Sequence, residues 1–302
     1  MIAVISHDAG GAEMISNYIA QTNLKFKCKF RLSGPAINVF HKNLGALDNV
    51  SYQIAVDKSE WLLCGTSWQS EIEWNAIKYS RKKKKRSIAF IDHWVNYNER
   101  FIRNNIEILP DEIWVGDSYA EDLARRKFPS LVVKLFKNPY LTNIRSELKK
   151  IENNKVYSLN NGINILYVCE PVAEHMLLQH GNERFLGYTE HDALHYFLEN
   201  VNLLGENIGD IVVRPHPSES DALIKYKWAF NNFNIKLGGK LSLLEEIVKS
   251  DIVVGCESMA MVVGLEANKQ VISSIPPNGL KCKLPHTEIT QLSDIINHPV
   301  SS

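Results

Sequence analysis

Short runs of β-branched and aromatic residues alternate with amphipathic segments along almost the whole chain, and this alternation restricts the possible folds. In the first half, the predicted strands cover residues 2–6, 27–32, 60–64, 87–91, 112–116 and 131–136. Helical patterns lie between them, at 12–21, 68–80 and 118–128. Strands that alternate with helices in this way form βαβ units around a parallel sheet. The first half is therefore predicted to be a doubly wound α/β domain.

The alternation restarts after a polar stretch at 138–161, which we interpret as a linker. The second half has predicted strands at 163–169, 210–214, 234–237, 251–255 and 270–274, and helices at 189–204, 219–231, 242–249, 258–267 and 287–297. Capping-box patterns support helix starts at Thr66-x-x-Gln69, Thr189-x-x-Asp192 and Ser242-x-x-Glu245. We predict two Rossmann-like, doubly wound domains facing a cleft, over 1–150 and 151–286, followed by a helix and tail over 287–302.

The composition excludes several classes of protein. The 302 residues are 45% hydrophobic and carry 34 basic and 34 acidic side chains, so the basic excess of a nucleic-acid binder is missing. No stretch reaches the roughly 18 apolar residues of a membrane helix, and no secretory signal is visible at the N-terminus. The five cysteines form no C-x-x-C pair and the histidines have no metal-ligand spacing. We expect a cytoplasmic protein with no metal and no cofactor.

Ligands of open α/β sheets bind beyond the carboxyl ends of the strands, so the residues there are the first candidates. The strand at 210–214 runs into Arg214-Pro215-His216-Pro217, where the two prolines stop the strand and stiffen the chain. A guanidinium and an imidazole at this edge are suited to phosphate oxygens. The alternative is a rigid turn with a solvated arginine.

A second candidate turn follows the apolar strand 251–255. Its residues Glu257, Ser258 and Met259 open the predicted helix 258–267, and a helix N-terminus attracts anions through its free N–H groups. Ser258 is expected at a phosphate, or as the N-cap alone, and the two roles are compatible. Glu257 is better suited to ribose hydroxyls or the base.

These two motifs resemble the C-terminal half of GT-B glycosyltransferases over about 160–285, and especially bacterial enzymes that use CMP-activated acidic sugars such as sialic acid and Kdo. The resemblance implies that His216-Pro217 and Ser258 hold the CMP phosphate, and that Glu170 and Ser274 line the same pocket. CDP-glycerol phosphotransferases have a similar phosphate site. This chain departs from these families by having Glu257-Ser258 where they pair two hydroxyls.

The loop after the first strand is the expected acceptor side. Gly10 and Gly11 permit close backbone approach, but the spacing is not that of a dinucleotide-binding G-x-G-x-x-G. The GT-B resemblance places this loop at the cleft, where Asp8 would be the general base, with His7 orienting it or acting instead. The alternative is a glycine turn in which Asp8 caps the helix at 12–21.

A second acceptor-side cluster follows the strand at 87–91. Asp92 is the rival general base, and the aromatic and hydrogen-bonding side chains beside it suit the face of a sugar; they are His93, Trp94, Tyr97 and Arg100. The alternative is a connecting loop with a core tryptophan.

The resemblance therefore implies a metal-independent, inverting glycosyltransferase that moves a sugar from a CMP-linked donor to a glycan or lipid-linked glycan. Its setting would be capsule or lipopolysaccharide biosynthesis. The basic run Arg81–Arg86 is a solvated helix end, or a contact with anionic lipids of the inner membrane leaflet. The alternatives are a nucleotide-sugar hydrolase or 2-epimerase, a CDP-alditol phosphotransferase, and a non-catalytic nucleotide-binding subunit.

Overall fold

The computed structural model of this chain describes residues 1–67, 70–153, 162–219 and 221–297. The chain divides into two compact units, Met1–Asn143 and Ile144–Ser302.

The first unit is built around a parallel sheet. Its strands are β1 (Ile2–Ser6), β2 (Cys28–Leu32), β3 (Trp61–Cys64), β4 (Arg86–Ile91), the two-residue strands β5 (Ile102–Arg103) and β6 (Ile106–Glu107), β7 (Glu112–Val115) and β8 (Val132–Leu135). Its helices are α1 (Ala9–Gln21), α2 (Ala36–Leu44), α3 (Tyr52–Asp57), α4 (Ile72–Lys82), α5 (Ser118–Lys127) and α6 (Pro139–Asn153), the last crossing into the second unit. The sheet order is β2-β1-β3-β4-β7-β8, and all pairs are parallel.

The second unit repeats this plan. Its strands are β9 (Ile163–Val168), β10 (Ile208–Arg214), β11 (Lys236–Leu237), β12 (Ile252–Gly255), β13 (Gln270–Ser273) and β14 (Ile289–Gln291). Its helices are α7 (Val172–His180), α8 (Glu190–Asn200), α9 (Ala222–Lys225), α10 (Lys227–Asn232), α11 (Leu243–Lys249), α12 (Met259–Glu266) and α13 (Leu292–Asn297). The sheet order is β11-β10-β9-β12-β13-β14, again with parallel pairs.

Each sheet has its own apolar core. A parallel sheet is covered by helices on both faces, so its central strands are continuously buried, as all five residues of β1 are. Trp114 and Phe136 pack in the first core with ring centroids 4.2 Å apart and a tilt of 32° between the rings. Tyr167 and Phe197 lie together in the second core at 5.2 Å. The two cores explain why the alternation in the sequence occurs twice.

The predicted strands of both sheets are confirmed, with shifts of one or two residues at their ends. The capping boxes that open α8 and α11 are also confirmed, because both partners of each box bond reciprocally. The third, Thr66-x-x-Gln69, is not seen: α4 starts at Ile72, and Gln69 lies outside the described residues.

Three differences from the sequence predictions have physical causes. The predicted linker at 138–161 is wrong for its first part, because Leu141, Ile144 and Leu148 bury one face of α6; residues 154–161 lie outside the described part. The predicted tail at 287–302 includes the edge strand β14, and residues 298–302 are likewise outside. Helices α2, α3 and α7 lacked a long periodic pattern because each has nine residues or fewer.

Much of the basic run Arg81–Arg86 is bonded inside the first unit. Lys85 donates to three backbone carbonyls at the end of α3, those of Val56, Asp57 and Ser59, at 2.6–2.8 Å. Arg81 donates to the carbonyl of Leu109 at 2.9 Å. Ion pairs join Lys83 to Asp57 and Arg86 to Glu112. These cations stabilise helix ends and neighbouring strands.

Four of the five cysteines are buried thiols, namely Cys28, Cys64, Cys169 and Cys256. Over the residues that the structure describes, no helix has both the length and the apolar character needed to cross a membrane.

Removing the Ser242 hydroxyl should destabilise the second unit. The Ser242 hydroxyl oxygen accepts the Glu245 N–H, and the Ser242 backbone N–H donates to the Glu245 carboxylate, so Ser242→Ala leaves the Glu245 N–H at the start of α11 without its acceptor. We expect a loss of about 1 kcal/mol in the free energy of unfolding, measured by urea denaturation. Ser130→Ala, at an exposed turn position, is the control and should change little. Equal effects of the two substitutions would contradict the capping role.

Candidate functional site

The candidate residues of the first unit lie at the carboxyl ends of three adjacent strands. β1, β3 and β4 are neighbours in the sheet, and all run in the same direction. The loops that follow them carry Asp8, Thr66 with Ser67, and Asp92. Parallel order therefore brings together residues up to 84 positions apart in the chain, at the edge where ligands of such sheets bind.

Asp8 is held by hydrogen bonds to one of its two carboxylate oxygens. His7 Nδ1 lies 2.7 Å from Asp8 Oδ1, and Ser67 Oγ donates to the same oxygen at 2.8 Å. The Asp8 side chain is 31% exposed. Asp8 is also the N-cap residue of α1, but its side chain makes no capping hydrogen bond there. The carboxylate is thus oriented by His7 and Ser67 while part of it faces solvent, as a general base requires.

Asp92 is oriented by a buried arginine. Arg100 Nη1 donates to Asp92 Oδ1 at 2.8 Å and also to the hydroxyl and carbonyl of Thr66, at 2.7 and 3.1 Å. The other oxygen of Asp92 lies against Gly10, where an added Cβ would be 1.9 Å from it. Gly10 is therefore required by the Asp92 carboxylate. Gly11 approaches the backbone of Gly65 in a similar way, with 3.3 Å from an added Cβ to the Gly65 Cα.

Three of the predicted acceptor-binding residues, Trp94, Tyr97 and Arg100, are buried within the first unit. Arg100 is 7% exposed and bonded as described above. Trp94 is 7% exposed and its indole N–H donates to Asp117, while the Tyr97 hydroxyl donates to the carbonyl of Ala120. These side chains shape the loop after β4. His93, in the same loop, is half-buried.

A buried carboxyl group that sequence reasoning missed lies beside this cluster. Glu73, in the first turn of α4, is 2% exposed, and its Oε1 accepts the backbone N–H of His7 at 2.8 Å. Burial raises the pKa of Glu73 to about 8, and the nearby charge of Asp8 acts in the same direction. A glutamate in a helical pattern is ordinarily solvated, so the sequence contained no signal for it.

The candidate residues of the second unit also lie at carboxyl ends of adjacent strands. β10, β9 and β12 are neighbours, and they are followed by His216, by Glu170, and by the turn of Glu257 and Ser258. Ser258 is the N-cap of α12 and accepts the Ala260 N–H at 3.1 Å. The expected helix start is therefore confirmed.

His216 has a defined tautomer. The backbone N–H of Ser218 donates to His216 Nδ1 at 3.2 Å, so Nδ1 is an acceptor and the neutral ring has its proton on Nε2. Burial lowers the pKa of His216; Glu219 opposes this, whereas His175 and Lys225 add to it. The ring is thus a neutral N–H donor at pH 7, and Pro217 after it is exposed.

The His216 turn rests on a charge network that was not predicted from the sequence. The His216 N–H donates to Glu219 Oε2, and Tyr226 donates to Glu219 Oε1, both at 2.8 Å. Lys225 pairs with Glu219 at 2.6 Å and with Glu190. Only 3% of the Glu219 side chain is exposed, so this network holds the turn in place from its buried side.

Arg214 is bonded within its own unit through one guanidinium nitrogen. Its Nη1 pairs with Glu246 at 2.6 Å and donates to the carbonyl of Leu241 at 3.0 Å. Glu246 also accepts the Gly239 N–H at 2.7 Å. The guanidinium therefore ties the end of β10 to the start of α11.

Glu170 occupies the turn where an anion was expected. Its Oε1 accepts the backbone N–H groups of Cys256 and Glu257, at 3.1 and 2.8 Å. Burial raises the pKa of Glu170 to about 7, while these hydrogen bonds oppose the rise. A carboxylate of the protein itself thus lies at the positive end of α12.

The remaining residues that were predicted to bind the nucleotide are Glu257, Ser274 and Met259, and they differ in burial and in hydrogen bonding. Glu257 accepts the Lys283 N–H at 3.1 Å and faces the loop that follows β13. Ser274 is fully buried and bonds to the carbonyl of Gly255, so it supports the turn from inside. Met259 is half-buried in the first turn of α12. Within the described ranges, no group of three or more His, Cys, Asp or Glu side chains is arranged to hold a metal ion.

Comparison with known proteins identifies the fold. No protein-family profile and no curated protein matches the chain. The solved UDP-GlcNAc 2-epimerase from Neisseria meningitidis bound to UDP-GlcNAc is 13% identical and has a TM-score of 0.60, with 98% of this chain and 89% of that chain covered. The S. aureus MnaA–UDP structure is 11% identical with a TM-score of 0.60, over 100% and 88% of the chains. The glycotransferase of kitacinnamycin is 12% identical with a TM-score of 0.52, over 99% and 89%.

These similarities show that the chain shares the GT-B fold of these proteins, and they confirm the prediction of two Rossmann-like α/β domains.

Replacing Arg100 should leave Asp92 without its cation. Arg100→Met is expected to lower the free energy of unfolding by about 3 kcal/mol, because an unpaired carboxylate would remain in a largely buried place. The double variant Arg100→Met/Asp92→Asn should recover part of this loss. Arg125→Met, which breaks an exposed pair with Glu121, is the control and should cost under about 0.5 kcal/mol. Denaturant titration measures the free energy of unfolding of all three variants. If Arg100→Met lost no more stability than Arg125→Met, a structural role of Arg100 would be excluded.

Proposed function

We propose that this protein is a sugar-nucleotide-processing enzyme, and in the first instance a glycosyltransferase. The observation that carries the proposal is the oriented, part-exposed carboxylate of Asp8, held through one oxygen by His7 and Ser67 at the ligand-binding edge of its sheet. The fold, shared with enzymes that bind UDP or UDP-GlcNAc, supports a nucleotide-sugar substrate.

In this proposal the first unit activates the acceptor. Asp8 takes the proton of an acceptor hydroxyl as that oxygen attacks the anomeric carbon of the donor. His7 Nδ1–H donates to Asp8 and keeps its carboxylate in one orientation. Asp92 has a different environment, since Arg100 neutralises its charge and Gly10 covers one oxygen. Asp8 is therefore the better base, and Asp92 is better suited to hold substrate hydroxyls.

The second unit is proposed to bind the nucleotide phosphate. His216 Nε2–H is a neutral donor held by a rigid turn, and Ser258 lies at the start of α12. Developing negative charge on a leaving phosphate is stabilised by such preorganised donors. Arg214 acts indirectly here, by supporting the strand end through Glu246. Glu257 remains the proposed contact to ribose or base.

A 2-epimerase or hydrolase of the same fold is the second candidate, and the repeated likeness to UDP-GlcNAc 2-epimerases favours it. Such an enzyme would use the same nucleotide contacts, but its base would act on a ring C–H or on water. The donor nucleotide separates the two candidates. We propose a CMP-linked acidic sugar for the transferase, whereas UDP would indicate the second candidate.

The setting is proposed to be surface-polysaccharide assembly in the cytoplasm, with a glycan or lipid-linked glycan as acceptor. Contact with anionic lipid through Arg81–Arg86 would depend mainly on Lys82 and Lys84, since the other four cations are bonded within the unit.

Nucleotide binding should be visible as thermal stabilisation. At a hundredfold excess over its dissociation constant, a bound nucleotide adds about 2.7 kcal/mol to the free energy of unfolding. CMP, CDP, UDP and GDP should be compared with the wild type, His216→Ala and the control His180→Ala, which changes an exposed histidine of the same unit. We expect one nucleotide to stabilise the wild type and the control, and His216→Ala to lose most of that shift. No shift with any nucleotide would refute the proposed function.

The role of Asp8 can be tested by turnover of the matching sugar nucleotide. We expect Asp8→Asn to keep nucleotide binding and to lower kcat by about 10²–10⁴-fold, the usual contribution of a general base. Asp48→Asn, at an exposed position, is the control. Unchanged turnover in Asp8→Asn would exclude Asp8 as the base. Rapid donor consumption without any acceptor would favour the hydrolase or epimerase.

A further inference from the structure

Glu73 is buried directly behind the His7–Asp8 pair. The side chain is 2% exposed, and Oε1 accepts the His7 N–H at 2.8 Å. The end of β3 is equally close, because an added Cβ at Gly65 would lie 3.4 Å from this oxygen. The Glu73 carboxyl group therefore fills the space between the loops after β1 and β3.

No cation pairs with this carboxyl group within the part of the chain that the structure describes. The charge of Arg103 acts on it, but Arg103 Nη2 donates to the carbonyls of Ser67 and Ser70, at 2.5 and 2.9 Å. On the other side lies the charge of Asp8. A buried carboxylate with no paired cation is costly, whereas a carboxylic acid still accepts a hydrogen bond and avoids that cost.

The electrostatic surroundings of Glu73 also favour its protonated, neutral form. Burial is the largest cause that raises its pKa to about 8, and Asp8 adds to the rise; the His7 N–H and Arg103 oppose it. The thiol of Cys64, on β3, is fully buried, and its own pKa is raised far above the usual value, so it contributes no charge at neutral pH.

We propose that Glu73 is a positioning residue that works as a neutral carboxylic acid: it holds the His7 peptide, and with it the His7–Asp8 pair, without placing a second negative charge behind Asp8. The effect on catalysis rests on the proposed function of Asp8. The protonation of Glu73 in the free protein does not depend on that function.

The protonation can be tested without any substrate. The unfolded pKa of glutamate is about 4.3 and the folded pKa is about 8, so the folded state holds one more proton between these values. Stability from this group is complete below about pH 4, is lost progressively up to about pH 8, and is constant above that. Glu73→Gln has no such proton, while its amide oxygen can still accept the His7 N–H.

We therefore expect the Tm of Glu73→Gln minus that of the wild type to rise between pH 5 and pH 8, by about 5 °C or more, and then to level off. Other titrating groups cancel in this difference. Glu71→Gln, two residues away and exposed, is the matched control and should show no such rise. A difference for Glu73→Gln that stays flat over this range would overturn the proposal.

An infrared difference spectrum between the wild type and Glu73→Gln at pH 7 gives an independent signature. The C=O stretch of a protonated carboxylic acid should be present in the wild type and absent from the variant. A carboxylate band in its place would also overturn the proposal.

Positioning is tested by a pair of substitutions once a donor is turned over. Glu73→Leu removes the acceptor of the His7 N–H and should lower kcat about tenfold with the donor KM unchanged, while Glu73→Gln should recover most of that loss. Equal kcat in the Leu and Gln variants would exclude positioning. If no nucleotide sugar is turned over at all, the proposed function fails, and the Tm and infrared results still decide the protonation of Glu73.

Discussion

The guanidinium of Arg100 is the contact on which the first unit's candidate site depends. One nitrogen bonds to Asp92 after β4 and to both oxygens of Thr66 after β3, so a single buried cation joins two neighbouring strand ends. With Asp92 fixed in this way, its second oxygen fills the space that a side chain at position 10 would need. The start of α1, where Gly10 lies, is thereby packed against the loop after β4.

The second unit uses carboxylates for the same purpose. Glu219 holds the His216 turn from below, Glu246 holds Arg214, and Glu170 holds the turn before α12. In each case the residue that the sequence suggested for ligand contact is supported by an acidic side chain further along the chain or on another strand. Preorganisation of this kind limits the movement of donor groups when charge develops on a ligand.

The fold, and the strand ends at which the candidate residues lie, could be predicted because both follow from local patterns. β-branched runs identified the strands, and the rule that ligands bind at carboxyl ends pointed to Asp8, Asp92, His216 and Ser258. The supporting residues could not be predicted in this way. Glu73 looks like an ordinary helix-surface glutamate, and its burial depends on the packing of α4 against loops that are distant in sequence. The burial of Trp94, Tyr97 and Arg100 could not be predicted for the same reason, since composition does not show which side of a loop a ring or a guanidinium faces.

Glu170 has a consequence for the kind of ligand that can bind beside it. Because its carboxyl group already accepts the N–H groups of Cys256 and Glu257, in the turn before α12, the free protein contains an internal competitor for that position. An incoming phosphate must displace this carboxylate or meet it in its protonated form. The apparent affinity for the phosphate is then reduced in proportion to the fraction of molecules in which the turn is free. Any anion that binds at this turn must therefore offset the loss of the two hydrogen bonds that Glu170 makes there.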